Sequence, residues 1–144
     1  RHLSDIWLGL QREVAQRLSA APGTKAYGRL TVLAQYRWTV TLSIKLPRHD
    51  FFPVPKVDSS WVHLAPRRPP LWVEDEALFF AVVKAAFSQR RKTLQNCLRE
   101  LETPALTRQD AADVLAQADL KPLVRGEQLS LDAFARLSNA IRCR

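Results

Sequence analysis

The spacing of apolar positions changes character several times along the chain, and each change marks an element. Leu3 to Leu10 is a short apolar run with the character of a buried strand. Gln11 to Ala20 predicts a helix, with Val14 and Leu18 one turn apart, and Ala21-Pro22-Gly23-Thr24 ends it. From Tyr27 to Trp38 the positions of Leu30, Leu33, Ala34, Arg37 and Trp38 are helical, with Tyr27 and Gly28 at the start. Thr39 to Leu46 then alternates Val40, Leu42, Ile44 and Leu46 against Thr41, Ser43 and Lys45, which predicts a strand with one buried face. Trp61 to Leu64 is another short strand, so the stretch between them joins two antiparallel neighbours at a sheet edge. A strand as apolar as the first needs neighbours on both sides, and only two further strand candidates follow it. The chain is therefore expected to be the later part of a longer one.

Ala65 to Trp72 carries Pro66, Pro69 and Pro70 and has no period, which makes it the best linker candidate. Beyond it the pattern is helical throughout. Ala77 to Phe87 is apolar almost all round, with Lys84 as its single charge, and predicts the buried centre of a small bundle. Leu94, Cys97, Leu98 and Leu101 fall on one face of the next helix. Thr107-Arg108-Gln109-Asp110 resembles a capping box opening a third helix, anchored by Leu115 and Ala118 and terminated by Lys121-Pro122. Ser130 is the predicted N-cap of the last helix, with Leu129 and Phe134 at hydrophobic-staple positions and Leu137 and Ile141 continuing the stripe. The pattern thus divides into an α/β part over residues 1–65, a linker over 66–73 and an all-α part over 74–144.

At 144 residues and 47% hydrophobic, the chain is long enough for one ordinary domain or two small ones. No apolar run approaches the roughly 20 residues that span a bilayer, and no signal pattern stands at the N-terminus, so a cytoplasmic protein without a membrane partner is the default. Cys97 and Cys143 lie far apart, with no C-x-x-C spacing, and read as free thiols. His2, His49 and His63 show no ligand spacing, so no metal site is expected. The net charge of +8 is uneven: residues 1–73 hold 11 Lys/Arg against 4 Asp/Glu, a net of +7, whereas residues 74–144 hold 11 against 10, a net of +1. That excess suggests a polyanion partner such as nucleic acid, and a merely basic surface fits the composition equally.

Two stretches could carry recognition. In Phe51 to Ser59, Pro53 and Pro55 fix φ and hold the preceding residues extended, so the loop can keep a flat side chain in place. Phe51 and Phe52 invite base stacking, which contributes about 1 to 3 kcal/mol per base. Core packing is the competing reading, and adjacent positions allow one ring in and one out. Lys56 is a candidate phosphate contact, with Asp58 and Ser59 fixing the loop backbone. The second stretch is Arg90-Arg91-Lys92. If Ser88 caps the following helix, these cations fall in its first turn, where the macrodipole disfavours them; a docked phosphate explains them and local stability does not. A solvated charge run is the alternative. Lys25 and Arg29 are candidates for RNA backbone contact or plain surface charge. Glu13 has no partner at catalytic spacing and reads as structural. No Ser-His-Asp or Cys-His set can be argued, and Gly9, Gly23, Gly28 and Gly126 are scattered singly, so neither a phosphate loop nor a catalytic centre is legible.

The pattern F-x-P-x-P-K-V-D-S at Phe51 to Ser59, followed by A-F-x-Q-R-R-K-T-L at Ala86 to Leu94, closely resembles the small-subunit ribosomal RNA adenine N6-dimethyltransferases, the kasugamycin-resistance methyltransferase family. The likeness extends to Leu10-Gln11-Arg12-Glu13-Val14-Ala15-Gln16-Arg17-Leu18 and to Lys25-Ala26-Tyr27-Gly28-Arg29-Leu30, and so covers nearly the whole chain. It implies the C-terminal part of a Rossmann-like class I methyltransferase sheet, three strands with helices, followed by a small helical RNA-binding domain. It also implies S-adenosylmethionine as the donor of the parent enzyme, two successive transfers to the exocyclic amine of adenine, and small-subunit ribosomal RNA or the immature small subunit as partner. The family's Gly-rich loop and Asn-Leu-Pro-Tyr motif are not in this sequence and are expected upstream of Arg1. No catalytic or cofactor-binding residue is therefore assigned within the chain, which alone is expected to be inactive. Phe51 matches the ring that packs on the target adenine, with Phe52 as its packing partner, and Lys25, Arg29, Lys56, Arg90, Arg91 and Lys92 are assigned to RNA. Two rivals stand: a non-catalytic RNA-binding ribosome-assembly module, and a DNA-binding transcription factor of the same fold, for which no recognition helix dense in Arg, Asn and Gln stands out.

Overall fold

In the computed structural model, which describes residues 5–67 and 73–144, the chain divides into two compact units, Arg1–Arg68 and Pro69–Arg144. The first is α/β and the second, among the described residues, is all helical.

In the first unit, β1 (Ile6–Gln11) leads straight into helix α1 (Arg12–Leu18); α2 (Arg29–Arg37) leads straight into β2 (Trp38–Leu46), and β3 (Ser59–Pro66) follows. The strand order is β1-β3-β2, with both pairs antiparallel, so the last strand lies between the other two. Leu8 stands opposite Val62 and Val40 opposite Leu64, which puts these side chains on one face because directly paired residues share a side. That face closes a core of Ala15, Val62 and Leu64, against which Ile6, Leu10, Trp38 and Val40 pack. The predicted Leu3 and Ser4 lie outside the described residues.

A polar clasp joins the two helices of this unit. The fully buried Thr31 donates its hydroxyl to the Arg17 carbonyl at 2.6 Å and accepts the Gly28 N–H at 3.1 Å. Gln35, one turn on, donates to the carbonyls of Leu18 and Ala20 at 3.1 and 3.0 Å. The orphan carbonyls at the end of α1 are thereby satisfied by α2. This corrects the expected face of α2: Thr31, Val32 and Tyr36 are buried and Leu30 is 46% exposed.

The predicted buried face of β2 holds at Val40 and again at Leu46, both half-buried, but not between them. Leu42 and Ile44 are exposed, and a register shift between Leu42 and Lys45 breaks the alternation on which that expectation rested. The expected linker also starts too early. Ala65 pairs with Thr39 and Pro66 with Trp38, and the Arg67 N–H donates to the Arg37 carbonyl at 3.0 Å. A proline is tolerated there because it closes the strand. Residues 68–72 lie outside the described part.

In the second unit, α3 (Glu76–Ala86) is capped by Asp75, whose carboxylate accepts the Leu78 N–H at 2.9 Å, and it buries Leu78, Phe79, Val82, Val83, Ala85 and Ala86. Next comes α4 (Leu94–Leu98), a short helix with Leu94, Cys97 and Leu98 buried. Leu101 is buried too, but lies beyond the helix end. The capping box of α5 (Arg108–Gln117) is as predicted, with Thr107 Oγ1 accepting the Asp110 N–H and Asp110 accepting the Thr107 N–H. This helix stops before Lys121-Pro122, because Asp119 takes a positive φ of 56° and the Leu120 N–H returns to the Leu115 carbonyl at 2.9 Å. The last helix, α6 (Leu131–Arg142), is capped by Ser130 and buries Phe134, Leu137 and Ile141, with Leu129 buried just before it. Between α5 and α6 the turn at Gly126 runs so close to α3 that a Cβ there would lie 2.5 Å from the Ala86 carbonyl oxygen. Cys97 is buried, Cys143 is exposed, and both are free thiols.

Candidate nucleic-acid interface

The proline loop occupies the hairpin between β2 and β3. Pro47 turns the chain out of the strand into a short 3₁₀ turn, Arg48–Asp50. The two ends of the loop are laced together: Asp58 accepts the Arg48 N–H at 3.0 Å, and the Arg48 guanidinium donates to the Lys56 carbonyl at 3.5 Å. The loop is also fixed to α1, since the Asp58 carbonyl accepts the Arg12 N–H at 3.0 Å. The sequence reading of Asp58 as a backbone clamp describes this geometry. Held in this way, Phe51 is 40% exposed and Phe52 fully exposed. Phe52, expected as the packing partner, makes no core contact of that kind: a ring at 100% exposure is entirely in solvent.

At the root of this loop lies a groove of about 660 Å³ between the start of α1 and the loop ends. Gln11, Arg12 and Gln16 line one side and Arg48, His49 and Lys56 the other. Pro47, Val57, Glu13 and Asp58 complete the wall, and both carboxylates already have partners. Glu13 pairs with Arg17 at 2.6 Å, one helical turn on, and Asp58 holds the loop and stands 4.0 Å from the Arg12 guanidinium. Of these cations the sequence had singled out only Lys56. Arg12 and Arg48 stand alone in the sequence, and only the tertiary fold brings them beside it.

The second cation cluster is placed differently from the sequence expectation. Ser88 does not cap α4; its hydroxyl donates back to the Ala85 carbonyl at 2.7 Å, at the end of α3, and to Glu100 at 2.9 Å. Thr93 is the N-cap residue of α4, so Arg90, Arg91 and Lys92 sit in the connection ahead of the helix and not in its first turn. Arg90 pairs with Glu127 at 3.0 Å and Lys92 stands 3.8 Å from Glu100. Arg91 is exposed and has no hydrogen bond or ion pair among the described residues. The Leu94 N–H donates to the Val124 carbonyl at 2.7 Å, which lays this connection beside the loop carrying Lys121 and Arg125. Those two exposed cations were missed because nothing in the linear pattern groups them with Arg91.

Lys25 and the exposed Arg29 flank Tyr27 and Gly28 at the start of α2, away from the groove lining. Tyr27 is buried, and burial pushes its phenol up to about 12, so it stays neutral there. Among the described residues no group of three or more His, Cys, Asp or Glu side chains could hold a metal ion, and no helix is long and apolar enough to cross a membrane.

The fold resembles that of solved methyltransferases. A dimethyladenosine transferase from Plasmodium falciparum superposes with a TM-score of 0.78 at 24% identity, over 94% of this chain and 56% of that one. The 23S rRNA methyltransferase ErmE superposes with a TM-score of 0.64 at 22% identity, over 96% of this chain and 55% of that one. At such identities the likeness concerns fold alone. In sequence, the ribosomal RNA small subunit methyltransferase A of Geobacillus sp. (strain WCH70) is 46% identical over 135 residues, which is 92% of this chain and 46% of that protein. The protein of the same name from Streptococcus thermophilus (strain ATCC BAA-250 / LMG 18311) is 44% identical over 141 residues, 96% of this chain and 49% of its own length. The chain thus spans about half the length of these curated relatives. The family model described as ribosomal RNA adenine dimethylase matches residues 1–139. A match over nearly every residue, proline loop and basic connection included, leaves one assignment: this chain belongs to the ribosomal RNA adenine dimethylase family.

Proposed function

We propose that this chain is the RNA-gripping part of an enzyme that transfers methyl groups from S-adenosylmethionine to the exocyclic amine of adenines in small-subunit ribosomal RNA, acting in the cytoplasm on the RNA or on the immature small subunit. Phe51 packs on the target base, and Lys25, Arg29, Lys56, Arg90, Arg91 and Lys92 contact the RNA backbone. The helical unit from residue 74 docks the RNA, and the α/β unit presents the base. The observation that carries this reading is the proline loop: an aromatic ring half exposed at a hairpin tip, anchored at both ends by Asp58, above a groove lined by Arg12, Arg48 and Lys56. A ring so held can stack on a splayed-out base without a large ordering cost, while the cations take the phosphates.

No residue here is assigned to the methyl donor. Of the four glycines, Gly9 lies within β1 against the Trp61 ring, Gly23 and Gly28 stand in the turn between α1 and α2, and Gly126 is pressed against Ala86; none forms a strand-to-helix cradle. This chain's own contribution is to place the adenine and hold its strand still, which lowers the barrier by positioning.

Phe51→Ala in the whole protein tests the assignment. Turnover on ribosomal RNA should fall by one to two orders of magnitude, since about 1 to 3 kcal/mol of stacking is lost. Affinity for the RNA should change far less, because the cations remain. Unfolding by this substitution, or unchanged turnover, would return Phe51 to a structural role.

A further inference from the structure

The reading above sets cations of the groove at the root of the proline loop beside the RNA but gives them no particular nucleotide. We infer that it is a subsite for the nucleotide next to the target adenine, with Arg12, Arg48 and Lys56 holding the phosphate of that nucleotide. The inference rests on the RNA reading of the loop and adds to it a definite neighbour.

Three features carry it. The first is charge: three permanent cations face one concavity, while its two carboxylates are already engaged, Glu13 with Arg17 and Asp58 with the Arg48 backbone and the Arg12 guanidinium. Lys56 is exposed with no side-chain partner among the described residues, and the Arg48 guanidinium makes a single 3.5 Å bond to a carbonyl. Most of the donor capacity of the two side chains is therefore available to an incoming anion. The second is size. About 660 Å³ lies inside the range of small-molecule sites, roughly 300 to 1,000 Å³, and admits a nucleotide rather than an isolated ion. Gln11 and Gln16 line it with amides able to bond a ribose hydroxyl. The third is position. Arg48 precedes Phe51 by three residues, so the two backbones are within about 11 Å of one another even at full extension. A strand whose base lies on Phe51 is therefore within reach of the groove.

The test is binding of the 144-residue chain to a fluorescein-labelled stem-loop RNA with adenosines in its loop, followed by anisotropy across a salt series. Arg48→Gln keeps the backbone N–H that Asp58 accepts and should melt as the unsubstituted chain does. It should weaken binding several-fold at low salt and flatten the slope of log K against log salt by about 0.7, the value for one phosphate contact on a single strand. Arg48→Lys should restore most of the slope. Lys45→Gln removes the same charge from an exposed strand position outside the groove and should leave the slope unchanged. If Arg48→Gln and Lys45→Gln behave alike while the unsubstituted chain binds, the groove is not a phosphate subsite and the RNA reading of the loop survives. If the unsubstituted chain fails to bind at any salt, both fall.

Discussion

Asp58 accepts the backbone N–H of Arg48 at 3.0 Å across ten residues of loop, and this bond ties together the ends of the hairpin loop that carries Phe51. Its charge-assisted character makes it stronger than an ordinary turn bond, and its half-exposed site reduces what it contributes, to about 1 kcal/mol. Asp58→Ala should therefore leave the α/β unit folded while releasing the loop. Amide exchange at Arg48 should accelerate several-fold, with little change at Val62 in the strand centre. Equal protection at Arg48 in both proteins would mean that the prolines alone hold the loop.

Thr31 is the second local tie with global effect. Thr31→Val keeps the shape and removes the hydroxyl, so the part-buried Gly28 N–H loses this acceptor and the Arg17 carbonyl, which also accepts the Ala20 N–H, loses this donor. At about 0.5 to 1.5 kcal/mol for each of the two bonds, the variant should be destabilised by about 1 to 3 kcal/mol. Thr31→Ser, which keeps both bonds and loses one methyl, should cost only about 1 kcal/mol. Urea unfolding followed by the fluorescence of Trp7, Trp38 and Trp61 separates the two; equal costs would show that the methyl, not the hydroxyl, matters.

That clasp also shows why the sequence misled at α2. A binary pattern counts threonine and glutamine as outward, yet Thr31 and Gln35 face α1 because its last carbonyls need donors. Leu30 was placed inside for the same reason and is half exposed. Capping chemistry was legible where it is local: Thr107 with Asp110 and Ser130 with Ala133 each span three residues and stand as read. Ser88 was not, because a serine just after a helix can return its hydroxyl to that helix as readily as cap the next. The groove could not be read at all. Its walls come from residues 11–16, 47–49 and 56–58, and only the β1-β3-β2 order brings these together.

The capping box of α5 should make acid stability depend on Thr107. The hydrogen bonds from Thr107, and then the nearby Arg144 guanidinium, hold the Asp110 carboxyl below its usual range. A group whose folded pKa is depressed contributes stability in full above its unfolded value, about 4, and loses it as pH falls through the lower folded value. Thr107→Ala removes the leading cause. The stability gap between the two proteins should be widest at neutral pH and should narrow below about pH 4, without closing, since the bond from the Asp110 N–H to the Thr107 hydroxyl does not titrate. Urea midpoints from pH 3 to 7 give the comparison; a constant gap would mean that the carboxylate adds nothing.

Among the described residues, Arg91 differs from its neighbours in having no hydrogen bond or ion pair. Arg90 is paired with Glu127 and Lys92 lies near Glu100, so part of what either contributes is internal, though exposed pairs of this kind are worth only about 0 to 1 kcal/mol. Arg91→Ala should therefore leave the melting temperature of the chain where it was. If the connection between α3 and α4 lies against RNA, the same change should weaken binding and flatten the salt slope by about 0.7 to 0.9, one phosphate's share. Arg90→Ala should produce a similar slope change together with a small loss of stability, because Glu127 is left without that guanidinium. An Arg91→Ala protein that binds ribosomal RNA as tightly as the parent at every salt concentration would remove the basic connection from the interface and leave the proline loop to account for recognition.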